Sequence, residues 1–378
     1  MGLTQTLAWG TTYYLPAILA NGMAAELGIA TAWIFTAFSA GLLLSAFLGP
    51  AAGRLIDVHG GRRVLPVSNL VIAAGLVLLG FCSGMISLFA AWLVMGLGMS
   101  CGLYEAAFAT LAGIYGRDAR RAITGITLIA GFASTVCWPL SAYMDVTIGW
   151  RATCFVWAAA HILVCLPVNL LLPPGSRHES PPETAAADGA PNRRLVVMAG
   201  LSFVFAAAWF GSTAMAAHLP RVLQEAGATL AVAVAAAALV GPAQVAARVL
   251  EFWLMRRMHP IVSARIASLA HPLAATGLIA VGAPAATPFA VIHGAGNGVM
   301  TIAIGTLPLA LFGPAGYGLR QGLLMAPARL LSASSPFVFD LLLTRFGTYA
   351  LTVTSALGLA AFTVLMLLPV RRQASPSQ

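Results

Sequence analysis

Gly53-Arg54-Leu55-Ile56-Asp57-Val58-His59-Gly60-Gly61-Arg62-Arg63 is a short charged, glycine-rich turn set between two long hydrophobic stretches. Its surroundings give it meaning. The 378-residue chain is 60% hydrophobic and 8% charged, against about 25% charged residues in an average soluble domain. That composition reads as a polytopic membrane protein. A bilayer core of about 30 Å takes about 20 apolar residues per helix. Twelve such spans can be drawn: 3–23, 31–53, 64–84, 86–113, 122–144, 152–173, 195–218, 229–254, 261–282, 286–312, 322–344 and 348–370.

The expected fold class is therefore an all-α polytopic membrane protein. An outer-membrane barrel would need strands of about ten residues with alternating polarity, whereas these runs are long and continuously apolar. Only one connector is long. Residues 174–194 are polar and proline-rich, a composition that cannot bury a core. They divide the chain into a first unit of six spans (1–173), a linker (174–194) and a second unit of six spans (195–378).

Arginine sets the orientation, because the chain contains no lysine. Thirteen of the twenty arginines (62, 63, 117, 120, 121, 177, 193, 194, 256, 257, 320, 371 and 372) fall in even-numbered loops and the termini, and only Arg151, Arg221 and Arg345 on the other side. Both termini and the linker are thus expected in the cytoplasm, with the chain in a bacterial inner membrane. The net charge of +9 is then a topology signal directed at the lipid bilayer and implies no nucleic-acid partner. The opening lacks a basic n-region, so the first span is read as retained. Cys82, Cys101, Cys137, Cys154 and Cys165 show no metal-ligand spacing and read as small core residues.

The two units echo each other. Trp9-Gly10-Thr11-Thr12 recurs as Trp209-Phe210-Gly211-Ser212, at an offset of 200. Gly96-Leu97-Gly98 recurs as Gly294-Ala295-Gly296 at 198, and Gly125 with Pro139 as Gly322 with Pro336 at 197. The opening turn also has a partner, Arg54-x-x-Asp57-x4-Arg62-Arg63 matching Arg248-x-x-Glu251-x4-Arg256-Arg257 at 194. Six spans is an even number, so both copies start on the same side, as parallel repeats about the membrane normal.

With these features the chain resembles the major facilitator superfamily. Gly53, Asp57, Gly61, Arg62 and Arg63 fit that superfamily's signature between helices 2 and 3, with Gly60 as an additional glycine. The resemblance implies two six-helix bundles rocking around a midplane site, no cofactor, a small-molecule substrate, and a monomer as the family default. Glycines permit a tight reversal and close helix approach. Asp57 is expected to reach the positive N-terminal end of span 11 and latch that side shut; the alternative is a solvated loop whose arginines only set topology.

Ionisable residues inside spans usually face a cavity or a partner. Arg248, Glu105 and Arg329 stand out. Arg329 lies roughly 14 Å along its helix from Arg320, and Arg248 about 12 Å from Arg256. A basic residue in span 8 and another in span 11 is similar in layout to the oxalate and monocarboxylate transporter branch, which implies Arg248 and Arg329 as carboxylate ligands. The mammalian-type members place an aspartate where Gln244 stands here, which leaves Glu105 as the candidate proton-coupling group. The other readings are an Arg248–Glu251 pair on one helix, an Arg329 that snorkels to the surface, and a Glu105 paired with a neighbouring arginine. Spans 1, 4, 7 and 10 line the cavity in the family, which adds Tyr13, Trp209, His293 and Asn297 as substrate-binding candidates, with Thr12, Tyr104 and Thr213 beside them. His271 and His293 are the histidines deep in spans, and such a ring is either a hydrogen-bonded core residue or a proton carrier.

No hydrolase, metalloprotease or Walker motif is present. The resulting expectation is a secondary transporter, not an enzyme and without a metal, that moves a small organic solute, a carboxylate anion, with proton or exchange coupling. The competing expectation is proton-coupled export of drug-like or metabolic compounds, which favours an aromatic pocket with few fixed charges.

Overall fold

The computed structural model describes residues 1–174, 191–254 and 258–368. Arg256 and Arg257 of the second turn, the C-terminal arginines and most of the 174–194 linker lie outside them. Among the described residues there is no strand. The helices are α1 (Gly2–Thr11), α2 (Pro16–Leu27), α3 (Thr31–His59), α4 (Gly61–Gly80), α5 (Met85–Gly102), α6 (Tyr104–Tyr115), α7 (Ala119–Ala130), α8 (Ala133–Ala160) and α9 (Leu166–Leu170). After the linker come α10 (Pro191–Glu225), α11 (Leu230–Ala238), α12 (Val240–Leu254), α13 (Pro260–Val281), α14 (Ala286–Phe312), α15 (Tyr317–Phe346) and α16 (Leu351–Leu367). Residues 191–194, drawn into the linker from composition, already belong to α10.

Eight stretches of the described residues are long and apolar enough to cross a bilayer. Two of them, Met85–Leu170 with 86 residues and Tyr317–Leu367 with 51, far exceed the roughly 20 residues of one crossing. The count of twelve thus stays a reading of the sequence. Large apolar side chains such as Phe47, Leu163, Phe337 and Leu367 are exposed, as lipid-facing surfaces require and soluble surfaces do not.

Several spans drawn as continuous are broken, and the breaks have causes. Span 1 is interrupted at Thr12–Leu15, between α1 and α2. Pro16 supplies no N–H to the preceding turn, while the Thr11 and Thr12 hydroxyls donate back to Leu7 O (2.8 Å) and Ala8 O (2.5 Å), a pattern that bends helices. Span 4 breaks at Leu103, whose backbone is extended (φ −87°, ψ −168°). The Gly102 carbonyl at that break accepts instead from Gln5 Nε2 at 2.7 Å. Span 5 breaks at Gly131–Phe132, and span 8 at Leu239. Between the predicted spans 5 and 6, α8 is broken at Gly149, with φ 81°.

The three largest apolar clusters each lie within one unit, while two smaller ones bring residues of both together. Leu15, Met23, Ile34, Ile72, Trp92 and Trp157 pack together in the first; Leu201, Phe205, Ile304, Leu307 and Leu324 in the second, with a further cluster around Leu219, Phe289 and Phe339. All five cysteines are free, and four are buried, in keeping with core positions. Helices of residues 1–170 meet those of residues 191–368 chiefly where α3 and α6 lie on α15, and α7 on α12 and α14. The first of these junctions carries the charged turn.

Candidate functional site

The turn at 53–63 joins α3 to α4. Gly60 has φ 78°, a conformation in which glycine has no steric penalty. A Cβ on neighbouring Gly61 would collide with the Thr110 side chain, so the two adjacent glycines do different jobs. Arg62 and Arg63 are exposed. Asp57 accepts from the Gly318 and Leu319 backbone N–H groups, both at 2.8 Å. These are unsatisfied first-turn donors of α15, where the helix dipole favours an anion. From the first turn of that helix, Arg320 donates to Gly313 O (3.1 Å) and Ala315 O (2.6 Å) and fixes the preceding loop. A Cβ on Gly53 would meet the Gly318 carbonyl, and one on Gly322 the Gly49 carbonyl; glycine at these positions lets α3 and α15 touch backbone to backbone.

Further along the same interface Arg329 reaches across from α15. Its Nη2 lies 2.5 Å from Glu105 Oε2 on α6, and its Nη1 donates to Ser45 Oγ (2.5 Å) and Ser45 O (3.3 Å) on α3. The two charged side chains are 17% and 15% exposed. Of the readings open from sequence, the cross-helix pair is the one observed, and Arg329 does not snorkel to the surface. Glu105 is placed by the break at Leu103, which starts α6 one residue before it.

Arg248 is buried and makes no ion pair with Glu251. Glu251 instead lies 3.1 Å from Arg120 Nη2 and accepts from Ser263 Oγ at 3.1 Å. The i+3 spacing put both residues on one helix face, but Glu251 is drawn to the start of α7. Arg248 donates to Thr127 O (2.9 Å), Gly298 O (3.3 Å), Gln244 Oε1 and Thr301 Oγ1 (both 3.4 Å). Among the described residues no carboxylate lies within ion-pair distance of it.

Between the two arginines sits an aromatic cluster built on the helix breaks. Trp9 stands 5.2 Å from Tyr13 and 4.9 Å from Tyr104, ring centre to ring centre, and Tyr104 stacks on Phe108. Trp209, the repeat partner of Trp9, packs against the same cluster. Tyr13 lies beside Arg329 and Thr213, and Tyr104 faces Arg248. Trp9 Nε1 and Trp209 Nε1 are buried and have no hydrogen-bond partner among the described residues.

The candidates thus fall into groups. Arg329, Glu105, Tyr13 and Trp209 come together, and Arg248 joins them through Tyr104. Asn297 and His293 instead line a separate cavity of about 60 Å³ among α10, α13, α14 and α16, with Ser212, Ser268 and His271. Gly53, Asp57 and Gly61 pack at the charged end. Sequence reasoning misses Ser45, a serine like many others, and Arg120, which reads from its position as a loop charge.

A sequence model of the Major Facilitator Superfamily matches residues 1–315. Human Monocarboxylate transporter 2 is 26% identical over 130 residues, covering 34% of this chain and 27% of that protein. The Meriones unguiculatus Monocarboxylate transporter 2 is 25% identical over 136 residues, 35% and 28% of the two chains. The chain therefore matches little more than a quarter of these curated relatives' length. Among solved structures, the human organic anion transporter TETRAN superposes with TM-score 0.72 at 16% identity over 96% of both chains. The proton:xylose symporter XylE gives TM-score 0.76 at 14% identity, over 97% of this chain and 95% of its own, and FucP in its outward conformation 0.75 at 13%, over 96% of both. At such identities these structures establish the fold alone. With that fold and a family match over most of its length, the chain belongs to the Major Facilitator Superfamily and is a membrane transporter rather than an enzyme.

Proposed function

We propose that this transporter moves a small organic carboxylate together with a proton, by alternating access of two bundles (1–173 and 195–378) joined by the 174–194 linker. The observation that carries the proposal is the contact between Arg329 and Glu105 at 2.5 Å. In it a carboxylate of the protein sits on the guanidinium that a carboxylate substrate would use. While Glu105 is charged, an incoming anion can take Arg329 only by leaving Glu105 buried and unpaired, which costs about 3–5 kcal/mol. A proton on Glu105 removes that charge and frees the guanidinium, which offers paired donors to the substrate's two oxygens. Release reverses the exchange: Glu105 loses its proton and reclaims Arg329. One monocarboxylate then travels with one proton, and no net charge crosses.

The unpartnered Trp9 and Trp209 Nε1 atoms supply hydrogen bonds for the rest of the substrate, and the aromatic rings supply its apolar wall. Arg248, held by neutral acceptors alone, adds a second positive charge beside Tyr104. The names of the similar proteins, a monocarboxylate transporter and an organic anion transporter, support the cargo class, and a proton symporter among the structural neighbours supports the coupling. The charged end, with Asp57 on α15 and Glu251 on Arg120, acts as the gate. The arginine distribution supports a cytoplasmic location for that end.

Proteoliposomes given radiolabelled monocarboxylates under an inwardly directed proton gradient test the reading. Accumulation is expected in the wild type and is expected to be lost in Arg329→Gln. Proton-driven movement of cationic or neutral drug-like compounds that is indifferent to Arg329→Gln would replace this proposal with the exporter reading, which the aromatic cluster would also serve.

A further inference from the structure

His271 on α13 and His293 on α14 face each other with Nδ1···Nδ1 at 3.0 Å. Two ring nitrogens at this distance must share one hydrogen. The hydrogen-bond directions decide which ring donates it. Thr354 on α16 gives its own proton to Leu351 O at 3.0 Å, so its Oγ1 can only accept from His271 Nε2, 2.8 Å away. A neutral His271 protonated at Nε2 has a bare Nδ1, and the bridging hydrogen therefore comes from His293 Nδ1. That leaves Nε2 of His293 as the unprotonated position of the pair, on a ring that lines the cavity of about 60 Å³.

From this geometry we infer that the His271–His293 pair is a proton-binding site in the second bundle, with a capacity of one proton taken up at His293 Nε2 from the cavity. The limit of one follows from sterics and charge: a second proton would set two N–H groups head to head across 3.0 Å. The single charge is spread by the Nδ1–H···Nδ1 bond, which strengthens when its donor ring is cationic. Phe289 lies parallel to the His293 ring at 5.9 Å. Ser212, Ser268 and Asn297 line the same space, which has room for a few water molecules at roughly 15 Å³ or more each. Gly211, where a Cβ would meet no neighbour, and Ala267 line the space, while Gly296 and Gly358 let α14 and α16 close onto α13.

Among the described residues, the charged groups on the helices around the pair are engaged elsewhere. His293 is the one titratable residue on α14, and α16 carries none. On α13 the other is Arg265, whose guanidinium is bound to Leu365 O at 2.9 and 3.1 Å. On α10, His218 and Arg221 are turned to Pro336 O and Asp340, Glu225 lies at the far end beside Gly347, and Arg193 and Arg194 are exposed at the near end. On α12, Arg248 and Glu251 are committed to the contacts described above. On α15, Asp340 holds Arg221 and Arg329 holds Glu105; Arg320 is bound to its own loop, and Tyr317 donates to Gly305 O. Arg345, in the last turn of α15, lies over Phe346.

This site is distinct from Glu105 and does not depend on what the cargo is. The test is ring-nitrogen NMR of the full-length protein in nanodiscs, with ¹⁵N-histidine labelling and assignment by single substitutions. As the pH falls, the His293 Nε2 signal is expected to move from the bare to the protonated position, while His271 Nε2 stays protonated and one hydrogen remains shared between the Nδ1 atoms. His271→Asn should abolish the coupled behaviour. Thr354→Val, which keeps both rings and the volume, should shift the midpoint, a response that mere packing would not give. Glu105→Gln should leave this titration untouched, so failure here and failure of the carboxylate proposal are separable. Two rings that titrate independently, or that both stay neutral across the range in which the protein is folded, would overturn the inference.

Discussion

Glu105→Gln keeps the shape of the side chain and removes the charge that competes for Arg329. In the structure the two groups are in direct contact at 2.5 Å and are 15% and 17% exposed, so solvent screens them only in part. Charge centres about 4 Å apart attract by about 4 kcal/mol at an effective dielectric near 20, in line with the loss seen when a buried pair is broken. An anion that displaces Glu105 forfeits this attraction. If about 3 kcal/mol of it is recovered, substrate binding at alkaline pH tightens by roughly 100-fold, at 1.4 kcal/mol per factor of ten. Scintillation binding on purified protein should show this gain together with a loss of pH dependence. Proteoliposomes of the same variant should exchange substrate for substrate yet fail to accumulate it on a proton gradient. Weaker anion binding in Glu105→Gln, or accumulation still driven by the gradient, would refute the reasoning, because either result means that Glu105 does not compete with the cargo.

Other consequences follow from the interface between the bundles. Asp57→Asn keeps one acceptor oxygen but removes the charge at the α15 N-terminus, worth about 1–2 kcal/mol; spin-label distances across the charged end should show the closed population falling by about 5- to 30-fold relative to the open one. Gly318→Ala puts a methyl group against the Gly53 carbonyl, so the same distances should lengthen and transport should fall, while melting of the purified protein changes little. Arg120→Ala leaves buried Glu251 without its guanidinium partner; a thermal-shift assay should read a loss of about 3–5 kcal/mol, and the double variant Arg120→Ala with Glu251→Gln should restore part of it. At the opposite end, hydrogen bonds from Arg151 (2.7 Å) and Trp150 (2.5 Å) hold the Glu26 carboxyl below the ordinary carboxylate range. Its contribution to stability is therefore present above about pH 4.3, the unfolded value, and fades as pH falls through the lower folded one, where the melting curves of wild type and Glu26→Gln should converge.

Much of this architecture is legible in the chain. Long apolar runs fix helices in a bilayer, since lipid offers the backbone no other partner. The turn at 53–63 names the family, and the placement of Asp57 near span 11 follows from the charge at a helix end. Arg248, Arg329 and Glu105 are conspicuous because a charge within a span needs a reason. The sequence could not say which charge meets which. Spacing on one helix left Arg248 open to either a substrate or Glu251, whereas the fold gives Glu251 to Arg120, leaves Arg248 on neutral oxygens, and sets Arg329 on Glu105 across three helices. The breaks at Thr12–Leu15 and Leu103, which lay inside runs of unbroken hydrophobicity, were equally hidden, and they are what turn Tyr13 and Glu105 inward. His271 and His293 stand 22 residues apart and became a pair only when α13 was laid on α14. Hydrophobicity and helix-end charge act locally or against the bilayer, so the sequence alone determined the helical membrane class and the turn; where the helices break and which polar groups pair depend on which helix faces come together, and that only tertiary packing decided.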